Sequence, residues 1–220
     1  MPLHELAGKP VPAELLIDTQ TLLVAYHERK PDAGDVNQRV AFGTSGHRGC
    51  ALDSSFNEDH IVAICQALVE YRDSQGVRGP LFMGMDTHAL SEPAHETAIE
   101  VFAANGVELR IHADGEYTPT PVISHSILTA NGSGRGEQAD GVVITPSHNP
   151  PRDGGFKYNP PHGGPADTIA TAAIETRANE LLEDGLAGVK RMAFADAMKA
   201  ASTQEVDLIR PYVEDRKSVV

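Results

Sequence analysis

From Arg39 onward, short apolar runs alternate with longer segments in which apolar residues recur every three or four positions. GlyValValIleThr at 141–145 is the most strand-like run, and LeuPheMet at 81–83 reads as a short buried strand. ArgValAlaPhe at 39–42, ending at a glycine turn, and the alternating Val107–Ile111 predict two more. Ile61, Ile64, Cys65, Leu68 and Val69 form one helical stripe stopped by Gly76; Ser55 and Glu58 have capping-box spacing, with Asn57 a rival cap. Ser91 is the predicted cap of a second helix, which carries Pro93 in its first turn and Ala98, Ile99, Phe102 and Ala103 as its stripe, up to Gly106. Thr120 and Pro121 open a short helix through Ile123 to Leu128, and residues 131–136 form a loop. Asp167 caps a last helix to about Leu182, closed by Gly185. Before Arg39, the apolar positions Leu15, Leu16, Leu22, Leu23 and Tyr26 lie between proline-rich ends and predict a helical N-terminal extension over 1–38.

Strands alternating with amphipathic helices predict an α/β fold with three layers, helices covering both faces of one sheet. The domain is expected over 39–205. Ligands in such sheets sit beyond the carboxyl ends of the strands, so residues 43–49, 84–88 and 146–165 are expected to gather at one edge.

Composition narrows the function classes. The chain has 220 residues, 40% hydrophobic and 22% charged, as in ordinary globular proteins. No run approaches the ~20 apolar residues of a membrane span, and the amino-terminal stretch lacks a secretory pattern. Cys50 and Cys65 have no metal-ligand spacing, which points to small buried hydrophobes in a reducing, cytoplasmic setting. A net charge of −13 argues against nucleic acid or an anionic membrane as partner. It also repels phosphorylated ligands, so a phosphate site here needs a local cluster of cations and backbone N–H groups.

The segment 145–165 is rich in proline and glycine, stiff at the first and open to close approach at the second. It carries Ser147 three residues past the best strand, with His148 and Lys157 near in sequence; ProSerHisAsnPro alone is equally a surface turn. PheGlyThrSerGlyHisArgGly at 42–49 reads either as an anion cradle of backbone N–H groups plus Arg48, or as a plain glycine turn. Asp86 and His88 lie beyond a strand end, where Asp86 and Thr87 could equally form a local turn. A hydrolase built on Ser147 and His148 has little support, because adjacent residues on an extended loop point apart and no GlyXaaSerXaaGly elbow is present. His148 has the best functional case of the ten histidines, with His47 and His88 as supporting candidates.

These segments, in this order and together with GlyGluTyrThrProThrPro at 115–121 and AspGlyValValIleThrProSerHisAsnProProArgAspGlyGlyPheLysTyrAsnProPro at 140–161, resemble the bacterial phosphoglucomutases of the α-D-phosphohexomutase superfamily. The resemblance runs to about Glu214. His47 and Pro146 look like the glucose enzymes rather than phosphomannomutases or phosphoglucosamine mutases. It implies a three-layer α/β/α domain with a mixed, mostly parallel sheet. Ser147 then matches the serine phosphorylated in the resting enzyme and a ligand of the family's Mg²⁺. His148, Lys157 and Arg48 match catalytic positions; Thr44, Ser45, Arg48, Asn149 and Lys157 are expected to bind the phosphate of a hexose phosphate, with glucose 1,6-bisphosphate as intermediate and activator. Met85 departs from the pattern, standing where relatives often carry lysine.

No AspGlyAspXaaAspArg-like metal loop occurs in the sequence. The resemblance therefore implies a chain that lacks the family's domains II to IV as partners and is catalytically incompetent alone, binding a phosphosugar at most. Residues 206–220 read as the entry to a second domain, with 215–220 a non-native tail.

Overall fold

The structure, a computed structural model, describes residues 6–43, 46–134 and 136–217. Helix α1 (Thr19–Glu28) starts where the Asp18 carboxylate accepts the N–H groups of Gln20 and Thr21. Its Leu22, Ala25 and Tyr26 reach the main core, where the Tyr26 hydroxyl donates to Thr97 Oγ1 at 3.0 Å. Of the expected strand at 39–42 only Phe42 is in one. A 3₁₀ turn occupies Val36–Gln38, and the backbone of Val40 is held by a side chain instead: Asn179 accepts from its N–H and donates to its carbonyl, both at 2.9 Å. Both polar groups of that peptide are satisfied by one amide, so no strand partner is needed.

Strand β1 (Phe42–Gly43) turns back into β2 (Gly46–Cys50) as an antiparallel hairpin, so most of the expected glycine loop is sheet. The glycines serve packing. A Cβ at Gly46 would run into the Phe156 carbonyl, and one at Gly49 into the Ser55 carbonyl. Helix α2 (Glu58–Ser74) begins at Asn57, whose N–H donates to His60 Nδ1 at 3.1 Å; the rival cap, not Ser55, is the one used. Strand β3 (Leu81–Met85) leads to α3 (Ser91–Ala104), capped at Leu90. The Ser91 hydroxyl points away from the helix backbone and donates to Asp86 Oδ1 at 2.6 Å. Strand β4 (Leu109–His112), α4 (Thr120–Gly132) and β5 (Asp140–Ile144) follow. The stretch expected as one long loop then contains a seven-residue strand, β6 (Asp153–Asn159). Helix α5 (Thr168–Glu183) is capped by Asp167 as expected, and α6 (Phe194–Ala197), β7 (Thr203–Val206) and α7 (Ile209–Lys217) complete the chain.

The sheet order is β1-β2-β6-β5-β3-β4-β7. β5, β3, β4 and β7 are parallel neighbours, whereas β6 runs antiparallel to both β5 and β2. Five strands thus point one way, with β6 and β1 opposed: a mixed, mostly parallel sheet in an α/β fold. Alternation divides the sheet between two cores. Leu81, Met83, Met85, Leu109, Ile111, Val142, Ile144 and Phe156 join α1, α2, α3 and α5 in the larger one. Val143 faces the other way, against Val122, Ile123 and Ile127 of α4 and Leu208 before α7. Gly84 and Gly141 let α4 approach, since a Cβ at either would meet Ile123 closely.

One polar group is sunk in this apolar interior. The Arg72 guanidinium bonds Asp140 (2.8 and 3.1 Å) and the Gly79 carbonyl, and the Tyr158 hydroxyl donates to the same carboxylate at 2.9 Å. Burial pushes the Asp140 carboxyl up and Arg72 pulls it back down.

Candidate active site

The register of β5, β6 and β2 decides which side chains meet. Val143 is opposite Lys157, and Arg48 is opposite Gly155. Side chains opposite one another in an antiparallel pair share a face, as do residues two apart. Lys157, Gly155 and Arg48 therefore lie on the α4 face, whereas His47 and Phe156 point into the larger core. Helix α4 covers β3 and β5 on that face, and β2 and β6 extend beyond it, leaving Arg48 and Lys157 half-buried rather than roofed.

Charge agrees with this placement. Burial lowers the pKa of the Lys157 ammonium, the Arg48 guanidinium lowers it further, and the Asp86 carboxylate opposes both. The three groups, from β2, β6 and the turn after β3, thus feel one another electrostatically. The sequence placed them in three separate strand-end segments, and the structure brings those segments to one edge.

Ser147 projects from the loop beyond β5, exposed and with φ of 67°, a left-handed conformation that costs a non-glycine residue about 1–2 kcal/mol. Its N–H donates to Thr145 Oγ1 at 2.9 Å, and the Asn149 N–H reaches back to the Pro146 carbonyl at 3.4 Å. Thr145 N–H donates to the Gly155 carbonyl at 2.8 Å, closing the β5–β6 ladder immediately below the serine. Gly155 has no alternative there, because a Cβ would strike Thr145 and Pro146. His148 is exposed; Asn149 is half-buried and donates to Asp153 Oδ2 at 3.2 Å, a bond within the loop. Thr44 and Ser45, expected to bind phosphate, lie outside the described residues.

The remaining candidates have other surroundings. His47 is buried, stacked between Phe56 and His60, and burial lowers its pKa to about 3, so it stays neutral and behind the sheet. His88 belongs to the site's edge, since its Nε2 lies 2.7 Å from the Pro151 carbonyl. Sequence reasoning missed Thr145 as part of the site; its only local signal was its position two residues before Ser147. Tyr117 and Thr118, from the resembling 115–121 segment, line a recess of about 220 Å³ with Asp86, Thr87 and Thr145. A larger groove, about 630 Å³, is lined by Gln66, Arg72 and Asn105. There Arg72 is committed to Asp140 and Gln66 accepts from Asn105. Among the described residues no three His, Cys, Asp or Glu side chains come together as a metal site. Among the described residues Ser147 offers one hydroxyl oxygen, too few for the near-octahedral oxygen coordination that Mg²⁺ demands.

Comparison with known proteins gives this geometry its relatives. The chain is 60% identical over 214 residues to a phosphoglucomutase of Komagataeibacter xylinus, covering 97% of this chain and 39% of that protein. It is 32% identical over 149 residues to a phosphoglucosamine mutase of Marinobacter nauticus, covering 67% and 31%. The crystal structure of the open form of parafusin, a phosphoglucomutase from Paramecium, superposes with a TM-score of 0.66 at 21% identity, over 87% of this chain and 36% of that one, and shares the fold. The chain thus spans less than two fifths of the length of each of these proteins. Residues 39–184, which include the whole Arg48–Ser147–Lys157 edge, match the family described as phosphoglucomutase/phosphomannomutase, alpha/beta/alpha domain I, and the chain belongs to that family.

Proposed function

We propose that this chain carries the phosphoserine of a phosphotransferase that interconverts glucose 1-phosphate and glucose 6-phosphate. The observation that carries the reading is Ser147: an exposed hydroxyl in a left-handed turn at the sheet edge where Arg48 and Lys157 share one open face.

In this reading phosphorylated Ser147 passes its phosphoryl group to a free hydroxyl of a hexose monophosphate, breaking the serine O–P bond and forming a sugar O–P bond. The resulting glucose 1,6-bisphosphate turns end for end, and the serine oxygen attacks the other phosphorus, which returns the phosphoryl group and releases the isomer. Such transfer needs alignment and positive charge against the equatorial oxygens more than covalent help. Arg48 and Lys157 supply that charge locally within an acidic protein. His148, next to Ser147 in the loop, serves as general acid. Lys157, its pKa lowered by burial and by Arg48, gives up its proton more readily than an ordinary lysine and in that neutral form is the candidate base. Asn149, with Thr44 and Ser45, completes the phosphate contacts. A cytoplasmic setting belongs to the same proposal. No helix among the described residues is long and apolar enough to cross a membrane.

A chimera decides it: residues 1–214 joined to the remaining length of the Komagataeibacter relative, assayed on glucose 1-phosphate. Ser147→Ala is expected to reduce turnover at least about a thousandfold. Turnover retained in that variant would end the proposal. The likeness to a phosphoglucosamine mutase favours a second reading, and faster turnover of glucosamine or mannose phosphates would select it. Assayed without the added segment, residues 1–220 are expected to bind a phosphosugar weakly and to turn nothing over.

A further inference from the structure

A left-handed, solvent-exposed serine persists only if its surroundings hold it there. Two of the bonds that do so are local: Thr145 Oγ1 accepts the Ser147 N–H, and the Pro146 carbonyl accepts the Asn149 N–H. Neither ties the far half of the loop to the sheet. That tie comes from another element. His88, in the turn after β3, accepts the Leu90 N–H on Nδ1 at 3.1 Å, which leaves the ring proton on Nε2. Nε2–H then donates to the Pro151 carbonyl at 2.7 Å.

The imidazole is itself fixed. The backbone that carries it is held too: the His88 main-chain N–H donates to Asp86 Oδ1 at 2.9 Å, the Ser91 hydroxyl donates to the same oxygen at 2.6 Å, and Ser91 N–H donates to the His88 carbonyl at 2.9 Å. Asp86 N–H reaches the Ile144 carbonyl at 3.0 Å, the last residue of β5, from which the serine loop departs. His88 therefore spans from a turn anchored at the start of the loop to a carbonyl near its end. Arg152 adds a tether on the outer side, from Nε to Cys50 Sγ at 3.2 Å and to Asp53, but that ion pair is exposed and weak.

We propose that His88 is a positioning residue for Ser147, closing the loop 146–152 against the turn after β3 through the Nε2–H bond to the Pro151 carbonyl. The inference rests on the reading of Ser147 as phosphoryl carrier only for its functional consequence; the loop closure stands on geometry. His88 touches no reacting atom, so its loss should lower the rate of phosphoryl transfer and leave KM little changed.

The test has two arms. In the 220-residue chain, amide hydrogen exchange across 147–152 is measured for the parent, His88→Ala, His88→Gln and Arg152→Ala. His88→Ala is expected to speed exchange in that loop about tenfold, with the β3 and β5 amides unchanged, since one well-made bond separates closed from open. The glutamine amide can replace Nε2–H, so His88→Gln should restore most of the protection, and Arg152→Ala should change little. Unchanged exchange in His88→Ala, or a glutamine variant as loose as the alanine one, would overturn the inference. In the chimera, His88→Ala should reduce kcat about tenfold at constant KM, with recovery in His88→Gln; a KM effect alone also counts against it. If Ser147→Ala keeps turnover, the reading of the serine falls, while the exchange arm still decides the clamp.

Discussion

The two faces of the sheet are built to different standards. One is sealed by α1, α2, α3 and α5 over a continuous core that holds Phe56, Phe102, Phe156 and Tyr26 with almost no exposed surface. The other is covered by α4 and α7 over a small cluster around Val122, Ile123, Ile127 and Val143. Its uncovered end, over β2 and β6, is where Arg48 and Lys157 stand. Desolvating charge is expensive, so two neighbouring cations are tolerated where the roof stops. The same sheet stabilises with one side and leaves its cations half-exposed on the other.

The comparison is broken most readily by removing one large side chain from each side. Phe156→Ala should cost about 3–5 kcal/mol and Ile127→Ala about 2 kcal/mol, because the thinner layer can relax; denaturant unfolding measures both. Equal losses would mean that the faces are not distinct.

Acid sharpens it next. Burial lowers the pKa of His47 to about 3 and of His95 to about 4, both below the ordinary value of 6.5. In the folded chain they stay neutral where the unfolded chain takes up protons. Unfolding is therefore favoured as pH falls below 6.5, by about 1.4 kcal/mol per pH unit and per histidine, until each folded pKa is reached. Stability measured from pH 7 to 4.5 should show this slope. His95→Gln should flatten it; an unaltered slope would place the titration elsewhere.

The smallest effects have the opposite sign and belong to the open face. Ser147→Gly removes the left-handed strain and should raise stability by about 1 kcal/mol while abolishing phosphoryl transfer. Lys157→Met removes a half-buried cation beside Arg48 and should also stabilise, by less than about 1 kcal/mol. Destabilisation by both would show that the open face, too, is optimised for folding.

What could be read from sequence follows from the range of the forces involved. Helices α2, α3 and α5 and strand β5 carry their own periodicity and stops, and each lies within a few residues of its expected place. Strands β2 and β6 were hidden by their glycines. Those at 46 and 154 are required by the Phe156 carbonyl and the Phe56 ring, from distant parts of the chain, and those at 49 and 155 by the nearer Ser55 and Thr145 backbones; a local pattern reads all four as loop. Val40 looked like a strand residue because Asn179, its actual partner, is 139 positions away. Ser147, Arg48 and Lys157 stood out in the sequence through their motifs, and the structure brings the segments that carry them to one edge. The hold of Thr145 and His88 on the loop was not legible there, since it depends on which carbonyls the turns present.

The pairing of β2 with β6 has a consequence for how the molecule is born. The cation-bearing strand emerges from the ribosome about a hundred residues before the strand that completes it. Until then its N–H and C=O groups have only the short β1 beside them, an edge open to wrong partners. Contacts between distant segments form slowly because loop-closure entropy opposes them until late. The Arg48 edge of the sheet is thus completed late, and a nascent chain stalled before Asp153 would have α1 to α4 without the strand that pairs with β2.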